Sequence, residues 1–139
     1  FVLTMPGVPF VYYGDEIGMT GGNDPDCRRM MRFEGWNNRE EALFGKVAAL
    51  NHLRRGNMAL VYGDYIQLHV AEQTFAYARK YFDKSVVVCI NNSTEEQTLE
   101  LDVEALSASG YTALFGKEYK LEGNKLTITL PALTSEVLY

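Results

Sequence analysis

From residue 59 to the end of the chain, apolar side chains recur at every second position in short runs separated by turn residues. Such alternation predicts β-strands with one buried and one hydrated face, as in residues 99–103 and 126–130. Short strands at this spacing favour an antiparallel sandwich or barrel. The predicted strands are residues 65–70, 74–82, 85–90, 97–101, 111–115, 125–130 and 135–139.

A helical period precedes these strands, in residues 39–55. Asn38 is a good N-cap and Glu41 follows it by three residues, which predicts a start close to a capping box. Gly56 is expected to end the helix. The predicted apolar stripe consists of Leu43, Phe44, Val47, Leu50 and Leu53.

The segment before the helix has the composition of a strand and a long loop. Residues 8–13 are apolar on both faces, which is typical of a parallel strand buried on both sides and predicts a strand there. Residues 14–37 contain five glycines and many polar side chains. A connection of this length in a compact domain is usually functional or disordered.

Charge and period together predict two parts, residues 1–57 and 58–139. The first part holds seven acidic and seven basic residues, and the second holds eleven acidic and six basic residues. The net charge of −5 argues against a nucleic-acid partner. No apolar run approaches about 18 residues, so no membrane span is expected. The chain opens on Phe1 without an initiator Met or leader features, which predicts a piece of a larger protein.

Asp15 and Glu16 form an adjacent carboxylate pair just after the predicted strand. Acid–base catalysis on a glycoside needs two carboxyl groups about 5 Å apart that face one substrate atom. Neighbours on an extended backbone point to opposite faces, so a structural role as hydrogen-bonded loop acids is favoured for both.

Residues 21–29 form a glycine-rich polar loop that allows three interpretations. Its oxygen-bearing side chains suit calcium, although the EF-hand spacing fails. Asp24 and Arg28 could instead form a polar clamp for a substrate with many hydroxyls. A solvated loop is favoured over both on these residues alone. His52 and His69 lack a partner at metal-ligand spacing, so no metal site and no cofactor is predicted.

Two ordered stretches carry a family resemblance: Pro6-Gly7-Val8-Pro9-Phe10-Val11-Tyr12-Tyr13-Gly14-Asp15-Glu16-Ile17-Gly18-Met19 and Gly22-Asn23-Asp24-Pro25-Asp26-Cys27-Arg28-Arg29. They resemble the alpha-amylase family of glycoside hydrolases (family 13), most closely its neopullulanase and cyclomaltodextrinase branch. The resemblance implies a mainly β chain: the last strand, loop and helix of a (β/α)8 barrel, followed by an antiparallel C-terminal β-sandwich of Greek-key type. Residues 1–57 would be the barrel remnant, and residues 58–139 the C-terminal domain.

The resemblance also implies a function. The parent enzyme would cleave α-glucosidic bonds in starch-like glucans by a retaining mechanism. Asp24 and Arg28 match the Asp and Arg that contact a glucose unit in relatives, so they are expected to bind an α-glucan oligosaccharide in the intact enzyme. The family's catalytic carboxylates lie on earlier barrel strands, so no catalytic residue is assigned here and the fragment is expected to be inactive.

Rival functions and partners remain open at this point. A non-catalytic carbohydrate-binding or structural β-sandwich module is one alternative. Sugar binding by such a module would need a planar row of exposed aromatics, for which Tyr65, Tyr77, Tyr81 and Tyr119 are available. A parent transglycosylase or isomerase is a further alternative. Residues 8–13, lacking barrel neighbours, are expected to be disordered, to refold onto the sandwich or to pair with another chain.

Overall fold

The computed structural model describes residues 1–106 and 109–139. Within these residues two α-helices precede seven strands, and short 3₁₀ turns lie at Asp15–Ile17, Asp26–Arg28 and Glu104–Leu106. The helices are α1 (Asn38–Gly56) and α2 (Met58–Tyr62). The strands are β1 (Asp64–Val70), β2 (Thr74–Tyr81), β3 (Lys84–Asn91), β4 (Gln97–Asp102), β5 (Tyr119–Glu122), β6 (Lys125–Leu130) and β7 (Thr134–Leu138).

The strands form two antiparallel sheets packed face to face. The first sheet has the order β1-β2-β3-β7 and the second has the order β4-β6-β5. After β3 the chain crosses to the second sheet, and β7 returns to pair with β3. The connection between the neighbouring strands β3 and β7 thus runs through the whole second sheet, which is a connection of the Greek-key kind. The predicted antiparallel sandwich is therefore confirmed.

Strict alternation on β4 and β6 builds the second sheet's half of the core. Leu99 pairs with Ile128 and Leu101 with Leu126, and all four are buried. Each such apolar side chain contributes about 1.5–3 kcal/mol on burial. The intervening Glu100 lies on the exposed face. The interior also receives side chains from the first sheet: Ala76, Ala78, Val87, Cys89 and Leu138.

The first sheet is covered on both faces. Its outer face carries a second buried cluster, to which α2 contributes Ala59 and Leu60. The strand members of this cluster are Tyr77, Val86, Val88 and Val137. Helix α2 was not predicted, since the period of two was assigned from residue 59 onward, whereas Met58–Tyr62 is helical.

Helix α1 begins one residue earlier than predicted. The Asn37 side chain accepts hydrogen bonds from the backbone N–H groups of Arg39 and Glu40, and Glu40 accepts from the Asn37 N–H. This is a capping box at Asn37 and Glu40, rather than at Asn38 and Glu41. No helix in residues 1–106 and 109–139 combines the length and apolar character of a membrane span.

The predicted strand at residues 8–13 is not formed. The segment has no β-ladder, and Phe10 is 79% exposed. A parallel strand needs hydrogen-bonding neighbours, and none of the described strands pairs with this segment. The apolar stripe of α1 is also only partly covered, since Leu43 and Phe44 remain exposed. The prediction of a strand in residues 8–13 is therefore wrong, and the chain forms irregular structure there.

The predicted strand at residues 111–115 is reduced to one bridge, between Ala113 and Leu138. The reason is Glu136, which is completely buried on β7. Its carboxylate accepts the backbone N–H groups of Phe115, Lys117 and Val137, each at 2.8 Å. The Leu114 N–H donates to the Val137 carbonyl at 2.9 Å, but the Val137 N–H is bound by the Glu136 carboxylate and does not return a bond to Leu114, so the ladder stops.

Two buried arginines hold the N-terminal segment. Arg54 of α1 donates to the carbonyls of residues 3, 5 and 7 at 2.5–3.0 Å. Arg79 of β2, which is 1% exposed, donates to the carbonyl of Thr4 at 2.9 Å and twice to that of Gly63, at 2.8 and 3.2 Å. Burial lowers the pKa of both guanidinium groups. Residues 3–7 are thereby bound to helix α1 and to the first sheet together.

The two cysteines are expected to differ sharply in reactivity. Cys27 is exposed, whereas burial raises the pKa of the Cys89 thiol to about 12. We expect iodoacetamide at pH 8 to modify Cys27 at least about 100-fold faster, because only the thiolate is nucleophilic. Peptide mass spectrometry of the folded chain and of a Cys27→Ser variant measures both rates. Comparable rates would show that Cys89 is not enclosed.

The same raised pKa gives a direction for stability against pH. The folded state keeps the Cys89 thiol protonated at a pH at which the unfolded chain has already ionised it. Its contribution to stability is therefore complete below the ordinary thiol pKa and decreases as the pH rises towards about 12.

Candidate functional site

The loop that leads to α1 begins with Asp15 and Glu16. A carboxylate oxygen of Asp15 accepts the Tyr12 N–H at 3.2 Å, and one of Glu16 accepts the Gly14 N–H at 2.8 Å. Gly14 has φ +92°, a left-handed conformation in which glycine is favoured. The two carboxylates thus bind the backbone of their own turn, which is the structural arrangement that the sequence favoured for them.

Asp24 and Arg28 are brought together at the tip of the loop. Arg28 Nε donates to Asp24 Oδ1 at 2.7 Å, and Nη2 contacts the same oxygen. Both side chains are 63% exposed. In the described part of the chain, Asp24 Oδ2 and Arg28 Nη1 have no other hydrogen-bond partner. The pair therefore presents an acceptor and a donor side by side to solvent.

A second ion pair closes the base of this loop. The carboxylate of Asp26 receives Arg29 Nε at 2.7 Å and Arg29 Nη2 at 2.8 Å. It also accepts the Gly22 N–H at 2.6 Å. These bonds from Arg29 and Gly22 hold the pKa of Asp26 below its usual range. Sequence analysis missed this pair, although the spacing of three residues between Asp26 and Arg29 was a usable signal.

The close approach of the loop's two ends requires glycine at position 21. A Cβ atom there would lie 2.8 Å from the Cα of Cys27 and 3.1 Å from the carbonyl oxygen of Asp26. The Tyr13 hydroxyl donates to the Arg29 carbonyl at 3.0 Å, which joins the far end of the loop to the segment before it. The loop is thus closed by backbone contact as well as by side chains.

The C-terminal part of the loop is fastened to helix α1. Arg32 contacts the carboxylate of Glu40, the residue that completes the capping box. Trp36 Nε1 donates to the Arg32 carbonyl at 3.0 Å, and its ring lies 5.0 Å from that of Phe44. The helix start and the loop are therefore one hydrogen-bonded unit.

The other candidate chemistries are not assembled. His69 Nε2 lies 2.8 Å from the Thr74 hydroxyl, within the sandwich. Among residues 1–106 and 109–139, no group of three potential metal ligands is present. The carboxylates of Asp24 and Asp26 do not converge on one point as calcium ligands would, because each is paired with an arginine.

The aromatic row required by a carbohydrate-binding module is not formed. Tyr77 is fully buried, and its hydroxyl lies 2.5 Å from that of Thr4. Tyr119 belongs to the second sheet and its hydroxyl donates to the Tyr111 carbonyl, while Tyr65 and Tyr81 lie on the first sheet. The four rings therefore share no exposed face.

The fold defines the class of protein. Residues 63–138 match the family model of the alpha-amylase C-terminal domain. The chain belongs to this family, and the resemblance noted in its sequence is confirmed.

Similar proteins match beyond that domain. A cyclomaltodextrinase of Thermoanaerobacter pseudethanolicus is 39% identical over 127 residues, covering 91% of this chain and 21% of its own length. Neopullulanase 2 of Thermoactinomyces vulgaris is 35% identical, and the match covers 100% of this chain and 24% of the relative. The crystal structure of a debranching enzyme from Nostoc punctiforme has a TM-score of 0.85 at 33% identity, covering 99% of this chain and 29% of that one. The chain thus spans less than a third of each of these proteins.

Proposed function

We propose that this chain is the C-terminal portion of an alpha-amylase-family glycoside hydrolase that cleaves α-glucosidic bonds in starch-like glucans. Residues 1–57 supply the last strand, loop and helix of its (β/α)8 barrel, and residues 58–139 form the C-terminal domain. The observation that carries this proposal is that the relatives match both parts of the chain, since the neopullulanase match covers 100% of it.

The exposed apolar surface of residues 1–57 supports this division. Phe10, Val11 and Leu43 line an apolar cavity of about 360 Å³ between the N-terminal segment and helix α1. Such a concentration of exposed apolar side chains marks an interaction site. In a closed barrel, the neighbouring strand and helix would cover this surface and supply residues 10–13 with hydrogen-bonding partners.

Asp24 and Arg28 are the proposed substrate-binding residues. Asp24 Oδ2 can accept a hydrogen bond from one sugar hydroxyl, and Arg28 Nη1 can donate to its neighbour, which suits a vicinal diol. The loop follows the proposed eighth strand, on the face where active sites of (β/α)8 barrels lie. The pair contacts the α-glucan in the intact enzyme and takes no part in bond cleavage.

We assign no catalytic residue to this chain. A retaining glycosidase uses two carboxyl groups about 5 Å apart, one as nucleophile and one as acid. Asp15 and Glu16 are occupied by the backbone of their own turn. The nucleophile and the acid of the proposed enzyme therefore belong to other barrel strands.

The first test compares this chain with the longer enzyme. We expect residues 1–139 at micromolar concentration to release no sugar from maltoheptaose above a blank. The enzyme that carries this chain should release sugar with retained anomeric configuration, which NMR detects in the first products. Product analysis also separates hydrolysis from transfer or isomerisation. Turnover by residues 1–139 alone would contradict the proposal.

The second test addresses the binding pair. In the longer enzyme, Asp24→Ala should raise KM by about tenfold with little change in kcat. The substitution removes the hydrogen bond between the Asp24 carboxylate and a sugar hydroxyl, which becomes buried when the substrate binds. Arg39→Ala, an exposed substitution outside the loop tip, is the matched control. An unchanged KM in Asp24→Ala would remove the loop from the binding site.

A further inference from the structure

We propose that Asp26 and Arg29 are positioning residues that hold Asp24 and Arg28 in their binding arrangement without touching the sugar themselves. This inference rests on the proposed function for its consequence in catalysis. Its structural part concerns this chain alone and can be tested without a substrate.

The Asp26 carboxylate joins the two ends of the loop. One of its oxygens receives the Gly22 N–H and Arg29 Nη2, and the other receives Arg29 Nε. The two parallel bonds from the guanidinium fix its plane as well as its distance. The first and last residues of the segment 22–29 are therefore bound to one group.

The binding pair lies inside this closed segment. The Asp26 N–H donates to the Asn23 carbonyl at 2.8 Å, and the Arg28 N–H donates to the Pro25 carbonyl at 3.0 Å. Asp24 lies between the bonded residues of the first turn and Arg28 ends the second. Closing the segment at Asp26 and Arg29 thus fixes the backbone from which both binding side chains project.

The closure matters because the binding pair itself is exposed. An exposed ion pair alone contributes little, since ordering two long side chains offsets most of the attraction. Asp26 differs from such a pair, because it combines a two-point contact with a backbone N–H at 2.6 Å. Ordering Asp24 and Arg28 before the sugar arrives reduces the entropy lost on binding.

Tyr13 sets the orientation of the closed loop. Its hydroxyl donates to the carbonyl of Arg29, the residue that Asp26 binds through its side chain. Tyr13 ends the proposed eighth strand, so this bond relates the loop to the barrel wall. The three residues form a continuous path from the strand, through the loop base, to the binding pair.

The structural test uses ¹⁵N NMR of the 139-residue chain. Hydrogen exchange of the Arg28 Nε–H reports the order of the binding pair, and Asp24→Ala gives the rate without its acceptor. We expect Asp26→Asn and Arg29→Met each to accelerate this exchange by about tenfold, the effect of weakening one charged hydrogen bond. Cys27→Ser, in the same loop but outside the network, should leave the rate within about twofold.

Backbone amide signals of β3 and β6 verify that each variant is folded. Wild-type exchange of the Arg28 Nε–H in both Asp26→Asn and Arg29→Met would overturn the inference. Equal acceleration by Cys27→Ser would also overturn it, because the loop would then respond to any substitution.

The kinetic test uses the longer enzyme and keeps the two proposals distinguishable. Asp26→Asn should raise KM by about five- to tenfold and leave kcat within about twofold, since only pre-organisation of a binding pair is lost. A lowered kcat at unchanged KM would overturn the positioning role. If Asp24→Ala leaves KM unchanged while the NMR effect is present, the proposed substrate contact fails and the structural coupling stands.

Discussion

Replacing Arg79 with Met should lower the free energy of unfolding by about 3 kcal/mol. Arg79 donates three hydrogen bonds to the carbonyls of Thr4 and Gly63 in a site that is almost closed to water. Met fills a similar volume but donates nothing, so two buried acceptors lose their partners. Urea denaturation followed by circular dichroism measures the change.

The removal of a desolvated charge acts in the opposite direction, so the sign of this effect is informative. Arg55→Met is the matched control, because Arg55 is exposed and directly follows the buried Arg54 on α1. We expect a change within about 0.5 kcal/mol for the control. An Arg79→Met chain as stable as the control would show that the carbonyl contacts add nothing to stability.

Replacing Glu136 with Ala should cost about 3 kcal/mol or more, because one buried and two partly buried N–H donors lose their common acceptor. Glu136→Gln should cost about 2 kcal/mol, since the amide NH2 group would replace an accepting oxygen and would face a backbone N–H, which is also a donor. The segment around Phe115 and Lys117 should separate from β7 in both variants. Hydrogen exchange of these two amides, together with urea denaturation, tests this expectation.

Glu118→Gln provides the control for the charge change, because Glu118 is exposed and lies one residue beyond Lys117. It should leave stability within about 0.5 kcal/mol. Unchanged protection of the Phe115 amide in Glu136→Ala would mean that the segment is held by its apolar contacts rather than by the carboxylate.

The second sheet was largely predictable because its strands bury one face only. In β4 and β6, the alternation of leucine or isoleucine with charged or hydroxyl residues fixes which side faces the core. The hairpin partner β5 was missed, since Tyr119–Glu122 is four residues long and half charged. A short edge strand carries too few alternations to be distinguished from a loop.

The strand predicted at residues 111–115 was shortened by a side chain that is distant in the sequence. The alternation in residues 111–115 is real, but the acceptor for the Phe115 N–H is the side chain of Glu136. For helix α1 the sequence analysis proposed Asn38 with Glu41, and the structure uses Asn37 with Glu40. Carbonyl groups have no sequence signature, so the binding of Arg79 to Thr4 could not be anticipated.

Asp24 and Arg28 were selected through the family resemblance, since their chemistry alone favoured a solvated loop. The structure brings the two side chains into contact, and their role in substrate binding stays a prediction. The contribution of Asp26 depends on a backbone N–H and on the direction of the Arg29 side chain, which spacing alone does not give. Family resemblance supplied the map of strand, loop and helix, whereas the unpaired state of residues 10–13 emerged only in three dimensions.

The attachment of residues 3–7 has a consequence for recombining these enzymes. The matched family model begins at residue 63, yet one of the three hydrogen bonds of Arg79 in that domain goes to the carbonyl of Thr4, far upstream. A graft cut at residue 57 or 63 would keep the two bonds to the Gly63 carbonyl but leave Nη1 of this arginine without the Thr4 carbonyl. The transferable module is therefore discontinuous, and a successful chimera must carry the short upstream strip along with the sandwich.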